Sequence, residues 1–347
     1  MIARPGRQYR GALFGAGGVA RLAHLPAYTH DPGSRLSIAA AVDGAADMGD
    51  LDGIRHLADR EDLAGVGTLD FIDVCTPTSS HVELVTWGLA QGYHVMCEKP
   101  VAVTRAEAEQ IREAAHRAGR IVMPCHQYRY NPAWQKVRAW IDEGAIGRWH
   151  LAEVHVGRPR ADQGAVKVGT PWRGRRAHSR GGVLLDHGTH WLYLLLDLAG
   201  APTRIQSWTG RLRHSEYDVE DTAHLLLEFD GGGGGAGRRL ATMLVTWAAT
   251  RRENRVRFVG EKGTIEWAGT HLRLDAEGRR EAVDFTAALD KKVYKEWFAA
   301  LFARFTDAMD RGRDESALDE IAQVAAILEH AYHAPVDGIP AAVAPVK

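Results

Sequence analysis

The stretch Arg10-Gly11-Ala12-Leu13-Phe14-Gly15-Ala16-Gly17-Gly18-Val19-Ala20 decides the fold of the N-terminal part of this chain. An apolar strand leads into Gly15-x-Gly17-x-x-Ala20, and a helix-length segment follows. The first glycine permits a tight turn, the second lets a pyrophosphate approach the backbone, and the small alanine lets helix and strand pack closely. Phosphates would lie at the helix N-terminus, where amide groups and the helix dipole favour anions. The motif predicts a dinucleotide site that includes Gly15, Gly17, Gly18, Val19 and Ala20.

A second apolar run, 36–42, ends at Asp43, at about the interval expected for the acidic residue of such a site. A carboxylate there can accept a hydrogen bond from the adenosine ribose. It would repel the 2′-phosphate of NADP, and no arginine follows within 44–47. We therefore predict NAD as the cofactor, in preference to NADP. A glycine-rich turn without a ligand is the alternative, and the strand, helix and Asp43 in register argue against it.

The order of elements predicts two domains. Residues 10–126 alternate short apolar strands with helix-length segments, which is typical of βαβ units and a parallel sheet. After Pro132 the strands follow one another through short connections, which indicates an antiparallel or mixed sheet. A chain of 347 residues also exceeds one ordinary core. We predict an α/β protein with a doubly wound parallel sheet in 1–127 and a second α/β domain in 128–347 that carries a large open mixed or antiparallel sheet.

The composition excludes several classes of protein. A net charge of −1 lacks the basic excess of a general nucleic-acid binder. The apolar run 192–196 is followed by Asp197 and is far shorter than the ~20 residues that a bilayer requires, so we expect no membrane span. Residues 1–10 hold arginines without an apolar core, so we expect no secretory signal and a cytoplasmic location.

The three cysteines are Cys75, Cys97 and Cys125, and each closes an apolar run. Their odd number and the lack of C-x-x-C spacing favour buried, reduced thiols in a reducing compartment. His126 follows Cys125, but four converging ligands of the kind that zinc requires are not evident in the sequence. We predict no metal site.

Glu98-Lys99-Pro100 directly follows the apolar run 93–97. A strand that ends this way places an ammonium group at the carboxyl edge of the sheet, where ligands bind in open α/β sheets. A surface ammonium paired with Glu98 is the alternative, but charges at a ligand-binding edge are more often functional. We predict that Lys99 contacts both cofactor and substrate, hydrogen-bonds the reacting oxygen and makes the substrate hydroxyl more acidic.

Asp186 and His190 are spaced i, i+4 in the segment 184–198, which follows Gly181-Gly182. If that segment is helical, both side chains project from one face and can contact each other. Imidazole suits proton transfer because its pKa lies near neutrality, and a carboxylate can orient the ring. A helix-start carboxylate beside a core histidine is the alternative. Given the nucleotide site, we predict an acid–base dyad.

Taken together, these motifs resemble those of the glucose-fructose oxidoreductase / inositol dehydrogenase / rhizopine catabolism (Gfo/Idh/MocA) family over essentially the whole chain. The motifs that carry the resemblance are Gly15-Ala16-Gly17-Gly18, Asp43, Cys75-Thr76-Pro77-Thr78-Ser79-Ser80-His81, Gly92-Tyr93-His94-Val95, Glu98-Lys99-Pro100, Arg129-Tyr130-Asn131-Pro132, Gly144-x-x-Gly147, Gly181-Gly182 with Asp186-x-x-x-His190, and Gly260-x-x-Gly263. The resemblance implies a Rossmann domain and an α/β domain whose open sheet forms homodimer or homotetramer contacts. It also implies NAD(P)-dependent redox chemistry on a hydroxyl group of a sugar or cyclitol.

The resemblance assigns further residues to the site. Lys99, Asp186 and His190 match the family's usual catalytic set. The additional cofactor-binding residues that it implies are Thr76, Pro77, His81 and Glu98, and the additional substrate-binding residue is Arg129. One position departs from the pattern, because relatives similar to inositol dehydrogenase carry an aspartate where this chain has Tyr193. Inositol is therefore not the expected substrate.

Segment 157–180 is rich in cations and leads into the Gly181-Gly182 turn. Against a single acid, Asp162, it contains Arg158, Arg160, Lys167, Arg173, Arg175, Arg176 and Arg180. Such a field attracts anions, and guanidinium groups suit bidentate binding of phosphate or carboxylate. We expect a phosphorylated, nucleotide-linked or acidic sugar, with Arg173 and Trp172 among the residues that contact it. A solvated basic loop that faces a partner subunit is the alternative, and Trp172 could equally be a core aromatic residue.

Two rival functions remain open at this point. One is a glycosidase or lyase of the same family that retains NAD and oxidises its substrate only transiently. The other is a redox-silent NAD-binding regulator, against which the intact set of Lys99, Asp186 and His190 argues. The direction of hydride transfer is not fixed, because the same groups act as acid or base by microscopic reversibility.

Overall fold

The computed structural model describes residues 6–30, 33–44, 51, 53–162, 171–230, 237–289 and 294–333. Within these ranges the chain forms a six-stranded sheet followed by an eight-stranded sheet, each packed against helices. The predicted fold class is confirmed. The domain boundary after residue 127 stays a prediction.

The first sheet is entirely parallel. Its strands are β1 (Tyr9–Phe14), β2 (Leu36–Val42), β3 (Arg55–Leu57), β4 (Phe71–Val74), β5 (His94–Cys97) and β6 (Val122–Pro124). Their spatial order is β3-β2-β1-β4-β5-β6, so the direction of winding reverses between β1 and β4. A crevice outside the carboxyl ends of the strands at such a reversal is where open α/β sheets bind ligands.

Three helices connect these strands: α1 (Leu25–His30), α2 (His81–Ala90) and α3 (Arg105–Ala118). The sequence determines the ends of α3 locally. Thr104 accepts a hydrogen bond from the backbone of Glu107 and the Glu107 side chain returns one, which forms a capping box. The helix ends at Gly119, which adopts the left-handed conformation that glycine allows without strain.

The second sheet is mixed. Its strands are β7 (Trp149–Gly157), β8 (Arg204–Gly210), β9 (Thr222–Phe229), β10 (Arg239–Thr246), β11 (Glu253–Gly260), β12 (Gly263–Ala268), β13 (His271–Ala276) and β14 (Arg279–Asp284). The order is β14-β13-β12-β11-β7-β10-β9-β8, in which β7 and β10 pair in parallel and the other pairs are antiparallel. Alternate residues of β9 and β10 are buried, so one face of this sheet packs on the core and the other is partly open.

The remaining helices are α4 (Pro132–Asp142), α5 (Arg176–Ser179), α6 (Thr189–Ala199), α7 (Tyr294–Arg311) and α8 (Glu315–His333). Helix α8 contributes to two cores. Leu318 and Ile321 pack into the core of the first sheet, whereas Ile327 and Leu328 pack into the core of the second. The two sheets are therefore joined by shared apolar packing. No helix in the described ranges combines the length and the apolar character needed to cross a bilayer.

Candidate active site

The glycine loop after β1 has the geometry that a dinucleotide requires. Gly15 has φ +85°, and a Cβ there would lie 2.9 Å from the backbone nitrogen of Thr76, so only glycine fits. A Cβ on Gly17 or Gly18 would meet nothing within 4 Å, so the loop faces open space at the start of the following helix. The residues of this loop therefore fit a pyrophosphate approaching the backbone.

Asp43 follows β2 beside this loop. Its Oδ2 accepts a hydrogen bond from the backbone of Ala16 at 2.8 Å, so the carboxylate also anchors the glycine loop. Asp43 is only partly buried, and a carboxylate in this position can also receive a ribose hydroxyl. Residues 45–50, which include part of the segment searched for a neighbouring arginine, lie outside the described residues.

The predicted cofactor residues after β4 are held by a buried histidine. The ring of His81 bridges two loops, because Nδ1 lies 2.8 Å from the carbonyl oxygen of Pro100 and Nε2 lies 2.9 Å from that of Thr76. Burial lowers the pKa of His81, against the two carbonyl contacts, which raise it. Pro77 precedes the helical turn Thr78–Ser80 that leads into α2. In this structure His81 joins the Thr76 loop to the Lys99–Pro100 segment.

An ion network that the sequence analysis did not anticipate lies beneath Lys99. His24, fully buried, contacts Asp73 Oδ2 through Nδ1 at 2.8 Å and Glu98 Oε1 through Nε2 at 3.0 Å. Burial would lower the pKa of His24, but the two carboxylates outweigh it and raise that pKa to about 9. Glu98 Oε2 in turn accepts a hydrogen bond from the backbone nitrogen of Lys99 at 3.1 Å. Glu98, predicted as a cofactor residue, therefore points its carboxylate at buried His24.

Ligand-type atoms of Cys75 and Cys125 also lie close to this histidine. Both of its ring nitrogens already face carboxylates, and a ring whose pKa is about 9 is protonated at neutral pH. An imidazolium has no lone pair for a metal. The arrangement is that of a buried ion network. The signals in the sequence were a histidine on the helix after the glycine loop and an aspartate within the otherwise apolar strand β4.

Lys99 and Asp186 meet although 87 positions separate them in the chain. Lys99 Nζ donates to the backbone carbonyl of Asp186 at 2.5 Å and lies 3.5 Å from its Oδ1. The same carboxylate lies 3.4 Å from Arg173 Nε and 3.5 Å from His187 Nε2. Burial would raise the pKa of Asp186, but His187, Arg173 and Lys99 outweigh it and hold that pKa well below its usual value. Because the ring of His187 is itself neutral at pH 7, the cations beside this anion are Arg173 and Lys99.

His190 has a different partner from the one expected. Its Nδ1 lies 2.9 Å from the hydroxyl of Tyr193, and its ring stacks on Tyr128 at 4.0 Å between centroids. Asp186 instead pairs with His187, and the reason is local: Leu184–Gly188 forms a π-helical turn before α6, which alters the i, i+4 relation of a regular helix. Asp186 and His190 lie close enough to interact electrostatically, but the described residues show no hydrogen bond between their side chains. Their joint role as an acid–base dyad stays a prediction.

His187 in the π-helical turn and His190 in the first turn of α6 are both held in the neutral form. Burial lowers the pKa of His190 well below its usual value, and the positive charge of Lys99 adds to the effect. Burial, together with the positive charges of Arg158 and Lys99, also lowers the pKa of His187 to about 4. The negative charge of Asp186 acts in the opposite direction but does not outweigh them. His187 was not among the residues predicted for the site, although its place directly after Asp186 was a signal in the sequence.

The Gly181-Gly182 turn is fixed by a buried carboxylate. A Cβ on Gly182 would lie 1.8 Å from the carbonyl oxygen of Glu220, so glycine is required by close backbone approach. The Glu220 carboxylate accepts hydrogen bonds from the backbone of Gly182 and Leu184 and from the Tyr332 hydroxyl. These bonds hold the start of the π-helical turn that carries Asp186.

Arg129, predicted to contact substrate, lies in a charge network behind His190. Its guanidinium is 2.8 Å from Glu320 Oε1, and Glu320 Oε2 is 2.9 Å from His126 Nδ1. The ring of His126 stacks on Tyr193 at 4.0 Å. Arg129 therefore supports the wall of the site through these residues in the present structure.

The cations of segment 157–180 separate into several groups. Arg173 stacks over Trp172 at 4.4 Å and reaches Asp186, while Arg158 is buried and donates to the carbonyls of Gly157 and Glu253. Arg176 and Arg180 instead bind Asp218 and Glu107, and both line a groove together with Glu220 and Tyr332. Arg160 and Arg175 are exposed, and Lys167 lies outside the described residues.

Comparison with known proteins gives two matches to family models. Residues 9–126 match a model described as an oxidoreductase family with an NAD-binding Rossmann fold, and residues 134–266 match the GFO/IDH/MocA C-terminal domain. The D-apiose dehydrogenase of Paraburkholderia graminis is 30% identical over 278 residues, which cover 79% of this chain and 70% of that protein. The D-glucoside 3-dehydrogenase of Escherichia coli is 27% identical over 230 residues, 60% of this chain and 62% of that protein.

A solved structure of similar fold is an oxidoreductase from Agrobacterium radiobacter in complex with NAD+, L-tartaric acid and magnesium. The TM-score is 0.81 at 23% identity, with 95% of this chain and 97% of that chain covered. The family models, together with the extent and identity of the D-apiose dehydrogenase match, confirm the family predicted from the motifs. The chain therefore belongs to the GFO/IDH/MocA family of oxidoreductases and carries its NAD-binding Rossmann fold.

Proposed function

We propose that this protein transfers a hydride between NAD and a secondary hydroxyl or keto group of a sugar or cyclitol derivative. The observation that carries the proposal is the contact between Lys99 and the Asp186 turn, at the carboxyl edge of the parallel sheet. Through His81 and Thr76, the Lys99–Pro100 segment is also joined to the loop that touches Gly15. Chemistry and cofactor binding would thus occur in one cleft.

NAD, when bound, supplies the hydride acceptor, and the residues of this chain would manage the proton and the charge. Lys99 has two further N–H donors beside the one bound to Asp186, and one of these can hold the reacting oxygen. A neighbouring cation favours the ionised form of that hydroxyl. His190 would exchange the hydroxyl proton, and Asp186 would balance the charge of Lys99 and of the imidazolium that forms.

We propose NAD rather than NADP as the preferred cofactor. The support is Asp43, whose carboxylate lies at the glycine loop and would repel a 2′-phosphate. The ratio of kcat/KM for the two cofactors measures this preference directly. A preference for NADP in the wild-type protein would contradict the assignment.

We further propose that the substrate carries a negative charge, as a phosphate, nucleotide or carboxylate. The cations that act most strongly on Asp186 or His187 include Lys99, Arg158, Arg173 and Arg252. Among the groups that act most strongly on His187, three are cations and one, Asp186, is an acid. An anion entering the cleft would gain from these charges, and a guanidinium can bind it in bidentate fashion.

The test is absorbance of reduced nicotinamide across a panel of neutral and anionic sugars with NAD and NADP. Lys99→Met should lower kcat by about 10²- to 10³-fold, the usual effect of removing one preorganised donor to a reacting oxygen. Undiminished turnover would refute the assignment of Lys99. An enzyme that oxidises only transiently would consume substrate without net NADH, and a regulator would bind NAD without turnover.

The charge of the substrate is tested separately. Arg173→Gln should raise KM for an anionic substrate at least tenfold and leave KM for a neutral analogue unchanged. Arg280→Gln, which removes the same charge from the distal strand β14, is the control and should change neither value. Turnover of uncharged polyols alone, with KM insensitive to Arg173, would refute the anionic class while leaving hydride transfer intact.

We also propose a homodimer or homotetramer formed through the open face of the second sheet. A row of apolar side chains crosses this face, because Leu240 of β10 pairs with Leu151 of β7, which pairs with Val259 of β11. Leu240 is 36% exposed. Leu240→Lys should dissociate the assembly in sedimentation velocity, whereas an oligomer of unchanged mass would place the interface elsewhere.

A further inference from the structure

The imidazole of His190 is held at one nitrogen by an uncharged residue of its own helix. Tyr193 is 1% exposed, and its hydroxyl lies 2.9 Å from His190 Nδ1. The same hydroxyl accepts a hydrogen bond from the backbone nitrogen of Tyr128 at 3.1 Å. Tyr193 is therefore fixed independently of the histidine that it contacts, since a backbone group holds its oxygen.

Stacking fixes the planes of both rings. His190 lies on Tyr128 with an interplanar angle of 9°, and Tyr193 lies on His126 with an angle of 15°. With Nδ1 bound to Tyr193 and the plane set by Tyr128, the direction of Nε2 is determined. Among the described residues, Nε2 of His190 has no hydrogen-bond partner, so it is the nitrogen left for a ligand.

We propose that Tyr193 is a positioning residue, which holds His190 through Nδ1 with a neutral phenol and so keeps the ring uncharged until Nε2 takes a proton from substrate. The inference deepens the proposed function and rests on it for the role of Nε2. A phenol oxygen can accept the Nδ1–H bond of the imidazolium, so the ring stays anchored in both protonation states. It adds no negative charge that would stabilise the imidazolium beforehand.

Charged and titratable groups from three neighbouring parts of the chain surround His190. Those that face it from the neighbouring elements are Lys99 after β5, His126 and Tyr128 after β6, and Asp186 and His187 in the π-helical turn. Lys99, His187 and His126 lower the pKa of His190 and so disfavour a positive charge on its ring. Asp186 acts in the opposite direction, although its carboxylate is already paired to Lys99, Arg173 and His187. A carboxylate at Tyr193 would change this balance directly.

The decisive comparison is Tyr193→Asp with Tyr193→Asn, which differ only in charge. An opposite charge in contact with a histidine raises its pKa by roughly one to three pH units. Because the neutral ring is the base, the acid limb of the kcat profile for alcohol oxidation should move up by that amount in Tyr193→Asp and not in Tyr193→Asn. Equal limbs in the two variants would overturn the proposal.

Tyr193→Phe separates positioning from packing. It keeps the buried ring and removes the hydroxyl, so kcat should fall by about 10- to 100-fold, with KM within threefold of wild type. Tyr9→Phe, which removes a buried hydroxyl bound to Asp310 at the opposite edge of the sheet, is the matched control. A Tyr193→Phe enzyme with wild-type kcat would also overturn the proposal.

A readout without substrate distinguishes failure of this inference from failure of the proposed function. The pKa of His190 can be followed by histidine NMR in the cofactor-free protein, with the signal assigned by its loss in His190→Asn. The pKa should be higher in Tyr193→Asp than in Tyr193→Asn, whatever the substrate is. A protein that shows this difference but reduces no NAD with any sugar would refute hydride transfer alone, and the absence of the difference would refute the role of Tyr193 alone.

Discussion

Replacing His24 with glutamine tests whether the buried ion network beneath Lys99 stabilises the fold. In the wild-type protein one imidazolium lies between Asp73 and Glu98, and all three side chains are buried. Glutamine has no charge and one amide nitrogen, so it cannot neutralise both carboxylates. His24→Gln therefore leaves two buried negative charges without their cation, which is the costly way to break such a network.

The size of the effect follows from the pKa of His24, which rises from 6.5 to about 9 on folding. At roughly 1.4 kcal/mol per pH unit, this shift corresponds to about 3 kcal/mol. Because the folded-state pKa is raised, the stabilisation is fully present below pH 6.5 and is lost as the pH rises through about 9. A loss of about 3 kcal/mol agrees with the 3–5 kcal/mol typical of removing one partner from a buried ion pair.

The assay is urea unfolding of both proteins across this range of pH. At pH 6 the variant should be about 3 kcal/mol less stable, and the difference should close as the pH rises from 6.5 past 9. Ionisation of the buried cysteines also lowers stability at high pH, but it does so in both proteins and cancels in the difference. His116→Gln, at an exposed histidine on α3, should stay within about 0.5 kcal/mol of wild type. A difference that is constant with pH would refute the assignment of the charge to His24.

Four further substitutions test the cofactor loop and the turn. Gly15→Ala should lower NAD affinity at least tenfold in a fluorescence titration, because the new Cβ would meet the Thr76 backbone and the residue has a positive φ. Gly17→Ala, whose Cβ would meet nothing within 4 Å, should leave the melting temperature unchanged. Asp43→Asn keeps an acceptor for the loop but loses the charge, so the preference for NAD over NADP in kcat/KM should fall at least tenfold; an unchanged ratio would contradict the role given to the carboxylate. Gly182→Ala must displace the Glu220 backbone, and both kcat and the melting temperature should fall; normal values for both would show that the turn tolerates a side chain.

The architecture could be predicted because its signals are local. The strand–glycine–helix motif at Gly15, the alternation of strands and helices to 126 and the succession of strands after Pro132 each follow from short stretches of sequence. The short strand β3 and the last two strands were not predicted. In β14 partly buried and exposed positions alternate without a fully buried residue, so its sequence carries little apolar signal. The parallel pairing of β7 with β10 joins segments distant in the chain, which periodicity does not reveal.

The sequence singled out residues that the structure brings close together, but it did not predict the contacts that they make. The structure brings Lys99 together with the Asp186 turn, as the positions of both motifs suggested. The partner of His190 depended on the π-helical turn, and a sequence pattern that assumes 3.6 residues per turn does not reveal such a turn. His24 and Glu220 were missed because each acts from the core on a neighbouring residue. A lone buried polar residue gives no sequence signal of the contact that it makes.

Both ends of Lys99 are held by networks that originate in different sheets. Its backbone nitrogen is fixed by Glu98, which His24 holds from the core of the first sheet. Its Nζ is fixed by the carbonyl of Asp186, on a turn that Glu220 holds at the start of β9. Because the two networks hold the backbone and the ammonium of the same residue, loosening either should misplace the ammonium by a similar amount, and loosening the second after the first should cost little more. The effects of His24→Gln and Gly182→Ala on kcat should therefore be less than additive, whereas two independent structural lesions would add.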